Sequence, residues 1–131
     1  MKLFKIIIVS FILLVSSMAN AAAQTNESLD PENTLYLKLK NGTVVIKTFP
    51  DVAPGHVNRI KELARDKFYD GIVFHRVIDG FMAQAGDPTG TGTSGSDKPD
   101  LKAEFSDINH KRGIVSMARK GHDINSANSQ F

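Results

Sequence analysis

The sequence predicts a mainly β domain, an antiparallel barrel with helical cover. Three observations point that way. Short runs with period-two alternation or β-branched residues recur along the chain, separated by Gly-, Asn- and Asp-containing turns. An Asn-Gly pair joins two of them, the strongest short-range signal for a hairpin. Only one segment carries clear helical periodicity, and no internal repeat is present.

The chain opens with a segment that does not belong to the domain. Lys2 and Lys5 form a basic start, Ile6 to Val15 is apolar except for Ser10, and Met18 to Ala23 supplies small residues at cleavage spacing. This is the plan of an export signal, and the apolar core is too short to span a bilayer comfortably. A membrane anchor or a buried helix is the alternative. Cleavage is expected after Ala21 or Ala23, with the mature protein periplasmic or secreted and not inserted in a membrane. Gln24 to Asn33 is polar and is expected to be a flexible lead.

Beyond residue 23 the remaining 108 of 131 residues suit one small domain. Loss of the two signal lysines leaves 14 basic residues against 14 acidic ones, so nothing favours an electrostatic nucleic-acid partner. With no cysteine there is no disulfide, and stability must come from the core. His56, His75, His110 and His122 are scattered, without metal-ligand spacing.

The elements follow in order. Thr34 to Lys40 alternates, with Leu35, Leu37 and Leu39 on one face. Asn41-Gly42 turns the chain, and Thr43 to Phe49 returns antiparallel. Pro54 suits the first turn of a helix, where its missing N–H costs nothing. Val57, Ile60, Leu63 and Ala64 recur at helical spacing, with Asn58, Arg59, Lys61 and Glu62 mostly on other faces. That helix is expected to end near Phe68-Tyr69. Ile72 to Ile78 and Met82 to Ala85 read as strands, Asp87 to Pro99 as a long loop, and Leu101 to Phe105 as a short strand. Gly113 to Ala118 is a stronger strand, and Ser126 to Phe131 begins another after a turn.

One motif is set aside. Gly90-Thr91-Gly92-Thr93-Ser94-Gly95 spells G-x-G-x-x-G, but a dinucleotide fingerprint requires a helix to open directly after it. Ser96-Asp97-Lys98-Pro99-Asp100 is a poor helix start, so the run reads as a surface loop. The triplets Asn26-Glu27-Ser28 and Asn41-Gly42-Thr43 match a glycosylation pattern that is common by chance and carry no weight.

The chemistry concentrates in Phe74-His75-Arg76-Val77-Ile78-Asp79-Gly80-Phe81-Met82-Ala83-Gln84-Ala85-Gly86-Asp87. It sets a permanently charged donor and an amide among apolar residues. Such a surface suits a ligand that is greasy at one point and amide-polar at the next, as a proline-containing peptide is. Taken singly, the residues say less. An arginine in an apolar strand is more often a snorkelling or ion-paired surface group, and Phe81 and Met82 alone would more often be core. His75 alternates to the face opposite Arg76 and reads as structural.

Two blocks resemble the cyclophilins, the cyclophilin-type peptidyl-prolyl cis-trans isomerases. They are Tyr69 to Asp87, and Gly113-Ile114-Val115-Ser116-Met117-Ala118-Arg119 continuing through Asn125-Ser126-Ala127-Asn128-Ser129-Gln130-Phe131. The resemblance covers residues 34–131 and implies a cyclophilin-like antiparallel β-barrel with a capping helix. It implies Arg76 as the catalytic arginine, and Phe81 and Met82 as walls of a proline pocket. Gln84 and Gln130 become contacts to the peptide backbone, and Ala118 and Arg119 the backbone-binding segment. For Arg119 a solvated charge stays an equal reading, since the family often has asparagine there. No cofactor or metal is implied. The implied partners are proline-containing polypeptides, and a cyclosporin-type ligand would use the same pocket. A complete domain would be a monomer.

The family pattern continues past Phe131 with further pocket residues, a second helix and closing strands. The barrel is therefore expected to be incomplete in this chain, with exposed sheet edges, and the 131 residues made alone are expected to fold poorly and show little activity. The implied function is acceleration of X–Pro bond rotation during folding of exported proteins. The alternatives are a proline-peptide binding module or holdase without turnover, and an inert fragment.

Overall fold

The computed structural model describes residues 29–131, so the expected signal at residues 1–23 lies outside it. A single turn of 3-10 helix, Pro31–Asn33, precedes strand β1, Thr34–Leu39. Strand β2, Gly42–Lys47, and helix α1, Pro54–Arg65, follow. Strands β3, Arg76–Ile78, and β4, Met82–Gln84, complete the regular elements. The remainder, from Ala85 onward, is turns and extended segments.

Half of the expected lead, residues 24–28, lies outside the described residues, and Pro31–Asn33 within it form an ordered turn. Asp30 caps the Pro31–Asn33 turn by accepting from Glu32 N–H at 2.9 Å. The turn is then tied to α1: Lys61 Nζ lies 2.8 Å from Glu32, and Arg65 donates to both Glu32 carboxylate oxygens.

β1 and β2 pair antiparallel in the register Leu35↔Ile46, Leu37↔Val44 and Leu39↔Gly42. The turn falls one residue earlier than the Asn-Gly pair suggested, on Lys40 and Asn41. Neither adopts positive φ, and Gly42 takes φ 149 instead, so the glycine alone absorbs the unusual backbone.

α1 stops at Arg65, short of the expected Phe68-Tyr69. Lys67 turns to φ 58, Phe68 N–H bonds the Leu63 carbonyl at 2.9 Å, and Lys67 N–H bonds Ala64 at 3.1 Å. This pair of bonds is the Schellman ending, and it terminates a helix whatever periodicity follows. Its polar face also departs from expectation. Arg59 and Lys61 are buried at 8% and 9% exposure, while Ala64 is exposed. Their long apolar stems cover neighbouring surface. The charged heads are satisfied at a distance, Arg59 on the Pro99 carbonyl at 2.8 Å and Lys61 on Asn33 at 3.1 Å.

The helix has no local cap, since Ala53 offers no side-chain acceptor. Glu104 supplies one from across the molecule, accepting from Gly55 N–H at 2.9 Å and His56 N–H at 3.0 Å. It also meets His56 Nδ1 at 2.6 Å. Burial alone would raise the Glu104 pKa, but these bonds outweigh it and hold the carboxyl below its usual range.

Beyond the first hairpin, regular β structure is sparser than the sequence suggests. The expected strand Ile72–Ile78 is regular only from Arg76, and β4 ends at Gln84. Leu101 contributes a single bridge to Ala127 instead of a strand. Gly113–Ala118 is not regular either: its backbone bond to a distant segment runs from Ala118 N–H to the Gln130 carbonyl at 2.9 Å. Ala85 and Phe131 exchange both backbone bonds, at 2.9 and 3.1 Å, as an antiparallel pair does. The described residues thus form two separate two-stranded sheets and no closed barrel. A strand realises its propensity only where a partner takes its hydrogen bonds.

The buried core is small: Val57, Leu63, Ala85 and Ala127, joined by buried Asp87, Ser126 and Ser129. On the side facing β2 a cleft of about 620 Å³ stays open, lined by Val44, Ile46, Ile60, Ile114, Val115 and Phe131 among others. No helix among the described residues is long and apolar enough to cross a membrane.

Candidate functional site

β3 and β4 form a tight hairpin whose register pairs Arg76 with Gln84, Val77 with Ala83 and Ile78 with Met82. Gly80, at φ 69, turns the chain between them. Directly opposed residues share a face, so the register alone sets Arg76 beside Gln84, with Ile78 and Met82 next along the same face. Arg76 Nη1 donates to Gln84 Oε1 at 3.4 Å.

The contact continues into the C-terminal segment. Gln84 Nε2 donates to Gln130 Oε1 at 2.8 Å. Gln130 Nε2 in turn donates to the carbonyl oxygens of Gly92 and Ser94, at 3.2 and 2.7 Å. Arg76, Gln84 and Gln130, 54 residues apart in sequence from first to last, become one chain of hydrogen bonds.

Gln130 is held from below. Its neighbour Ser129 is fully buried, donates from Oγ to the Gly86 carbonyl at 2.7 Å, and accepts the Tyr69 hydroxyl on its own carbonyl at 2.9 Å. Burial pushes the Tyr69 hydroxyl far above the usual phenol range. Gly86 sits at φ 95, and a Cβ there would collide with the Ser129 carbonyl oxygen, so only glycine allows this approach. Tyr69 also meets Phe131 edge to face, with ring centroids 5.5 Å apart. Asn128 fastens the long loop: its side-chain oxygen accepts from Ser96 N–H at 2.8 Å, and its nitrogen donates to the Lys98 carbonyl at 2.8 Å.

The glycine-rich run has a different purpose from the one its letters suggest. Asp87, at 0% exposure, collects donors from the loop that follows it: Thr89 N–H at 2.7 Å, Thr89 Oγ1 at 2.8 Å, Gly92 N–H at 2.6 Å and Ser94 N–H at 3.2 Å. Burial would raise this carboxyl, but the bonds from Thr89, Ser94 and Gly92 prevail and hold it far below the usual range. Gly90 at φ 68 and Gly92 at φ 84 let the backbone wrap around it. The loop amides that a phosphate would need are engaged by Asp87. Sequence reasoning missed Asp87, although a carboxylate directly before a Thr/Gly/Ser run is the composition of such a wrap.

The other expected site residues are placed less tightly. Met82 is half-buried, and Phe81, at the end of the β3–β4 turn, is 77% exposed. Ala118 joins through its backbone bond to Gln130. Arg119 lines the apolar cleft, and its guanidinium donates to the Lys120 carbonyl at 3.1 Å. His75, across the strand from Arg76, packs against Gly92, with both ring nitrogens buried and without hydrogen-bond partners.

This geometry has known relatives. Residues 34–131 match the family described as cyclophilin type peptidyl-prolyl cis-trans isomerase/CLD. A Brucella abortus protein named "Probable peptidyl-prolyl cis-trans isomerase" is 49% identical over 126 residues, which cover 88% of this chain and 64% of that one. Peptidyl-prolyl cis-trans isomerase B of Bacillus subtilis is 41% identical over 100 residues, 75% of this chain and 68% of that one. Among solved structures, a cyclophilin-type isomerase of Cryptosporidium parvum superposes with a TM-score of 0.71 at 30% identity, covering 75% of this chain and 64% of that one. The same protein, also solved in the presence of the dipeptide Ala-Pro, gives a TM-score of 0.70 at 29% identity, with 74% of this chain and 64% of that one covered. The chain spans a little under two thirds of the length of the Brucella relative. The matched residues, the shared fold and these identities place the chain in the cyclophilin-type peptidyl-prolyl cis-trans isomerase family.

Proposed function

We propose that the Arg76 face binds proline-containing polypeptides and accelerates rotation about the X–Pro bond. The observation that carries this reading is the chain Arg76–Gln84–Gln130, which presents one exposed cation and two amides beside Met82. The Ala-Pro dipeptide named with the Cryptosporidium relative supports the substrate class.

An amide resists rotation because resonance keeps it planar, with a barrier of ~18–20 kcal/mol. In the twisted transition state the prolyl nitrogen becomes pyramidal and regains its lone pair. A donor aimed at that nitrogen stabilises the twisted form more than either planar isomer, and this difference alone raises the rate. Arginine suits the role because it stays charged and offers several donors in a fixed fork. The reaction moves no atoms between molecules, so this chain needs no nucleophile, acid–base pair or cofactor to carry it. Met82 and Phe81 would exclude water from the prolyl ring, and Gln84 and Gln130 would steady the guanidinium and meet the flanking backbone. A cyclosporin-type ligand would compete for the same face.

The test is a protease-coupled isomerisation assay on an X–Pro tetrapeptide, run on the full-length gene product. Arg76→Ala is expected to lower kcat/KM by roughly 100-fold, equivalent to about 2.7 kcal/mol of transition-state stabilisation. Unchanged activity in that variant would overturn the mechanism. Peptide binding without any rate enhancement in the wild-type protein would instead identify a binding module.

A further inference from the structure

We propose that Asp87 is a positioning residue for the Arg76 site, folding the loop whose carbonyl groups fix the direction of the Gln130–Gln84–Arg76 hydrogen-bond chain. The proposal rests on the isomerase reading above.

Direction in this chain is determined at both ends. The Gly92 and Ser94 carbonyl oxygens can only accept, so Gln130 must turn its nitrogen toward them. Gln130 Oε1 then faces Gln84, which must answer with its own nitrogen. Gln84 Oε1 is thereby left for Arg76, whose guanidinium can only donate. Reversing either amide would set donor against donor or acceptor against acceptor along the whole run. Oriented this way, each glutamine holds the next group, and Arg76 is held last.

Asp87 controls the fixed end. The two residues that offer carbonyls to Gln130 are two of the three whose N–H groups bond the Asp87 carboxylate, Gly92 at 2.6 Å and Ser94 at 3.2 Å; the third is Thr89 at 2.7 Å. Asp87 and Gln130 therefore grip the same two residues. Thr89 closes the near side of the loop with its N–H and hydroxyl, and Thr91 Oγ1 adds a bond at 3.3 Å. The wrapped loop rests on the residues leading into β3: Gly90 approaches Val73, and Gly92 approaches His75, one residue before Arg76.

The backbone of the C-terminal segment does not depend on this carboxylate. Phe131 pairs with Ala85, Ser129 bonds Gly86, and Tyr69 bonds Ser129. Loss of the Asp87 charge should therefore loosen the loop and the glutamine side chains while Gln130 stays in place. Asp87→Asn has this effect because its amide would present a donor to a ring of donors.

The test compares wild type, Asp87→Asn, Thr89→Val and Arg76→Ala in the full-length gene product. Circular dichroism and thermal melting establish folding. Side-chain amide NMR of Gln84 and Gln130 reports the chain itself, and steady-state kinetics report its use. In folded Asp87→Asn, both glutamine amide pairs are expected to move toward the position of exposed glutamine. At the same time kcat should fall about tenfold, with KM within about twofold. Thr89→Val, which keeps the carboxylate but loses one donor, should lie between. A structural role alone would lower the melting temperature and leave kcat of the folded protein and both amide pairs unmoved; that result overturns the proposal. If Asp87→Asn does not fold, Thr89→Val decides by the same two readouts. If the wild type shows no rate enhancement the isomerase reading fails, and if Arg76→Ala keeps full activity the role of Arg76 fails, whereas unmoved amide signals defeat the positioning role of Asp87 independently of turnover.

Discussion

Lys67 shows how much one residue can decide. It is the only non-glycine among the described residues with positive φ, at 58°, and it stands where the Schellman ending demands a left-handed residue. The sequence offers no glycine there, so periodicity through Phe68-Tyr69 reads as more helix. Lys67→Gly is expected to stabilise the protein by about 0.5–1 kcal/mol, because the relief of left-handed strain exceeds the extra freedom of the unfolded chain. An increase in the urea midpoint at unchanged m-value would confirm it, and a decrease would show that the lysine is not strained. The same scale explains why Arg76, Gln84 and Met82 were legible as a group. Their spacing in a β-hairpin sets them on one face once the register is known. Asp87 was harder to read: the Thr/Gly/Ser run signals a wrap, but which backbone amides join the threonine hydroxyls on the carboxylate is decided only by the folded loop.

Elements differ in how they are completed. The β1–β2 hairpin is local, and its antiparallel pairing follows from two alternating runs joined by a short turn. α1 is local in its periodicity but not in its cap, which Glu104 provides 49 residues beyond Gly55. Glu104→Ala would leave two helical N–H groups and His56 without their acceptor. The expected cost is about 1–2 kcal/mol, with Glu104→Gln intermediate, read from urea unfolding of each variant. No change would mean that water replaces the carboxylate at the helix end. Arg59 belongs to the same class of long-range completion: a residue expected on the solvent side is buried because the Pro99 carbonyl receives it.

At the scale of the whole molecule, titration ties these contacts to stability. Burial opposes the charge of Asp87 and Glu104, yet their hydrogen bonds lower both pKa values, and the bond from Lys61 chiefly lowers that of Glu32. Carboxyls with depressed folded pKa values stabilise the fold above the ordinary carboxylate range. That contribution is lost as pH falls below about 4 toward the folded values. At the other limb, burial raises Tyr69, and the bond to Glu62 chiefly raises Lys98. Raised values contribute stability below about pH 10 that fades as pH climbs through them. Stability is therefore expected to fall at both extremes of pH. Asp87→Asn should flatten the acid limb, and a limb unaltered in that variant would remove Asp87 from the account. Urea unfolding across the pH range measures both.

The sequence by itself determined the first hairpin, the start of the helix and the apolar stripe that carries Val57 and Leu63. All of these depend on residues close together in the chain. The tertiary structure alone decided which β-prone segments became strands. Gly113–Ala118 carries strand propensity, yet its bond to a distant segment is the one from Ala118 to Gln130. A helix satisfies its own hydrogen bonds, whereas a strand waits for a partner, and that partner is specified only in three dimensions. The same holds for the site: composition marked a cation and one amide, and the resemblance a second, but the Gly92 and Ser94 carbonyls that take the Gln130 nitrogen are brought there by the folded loop.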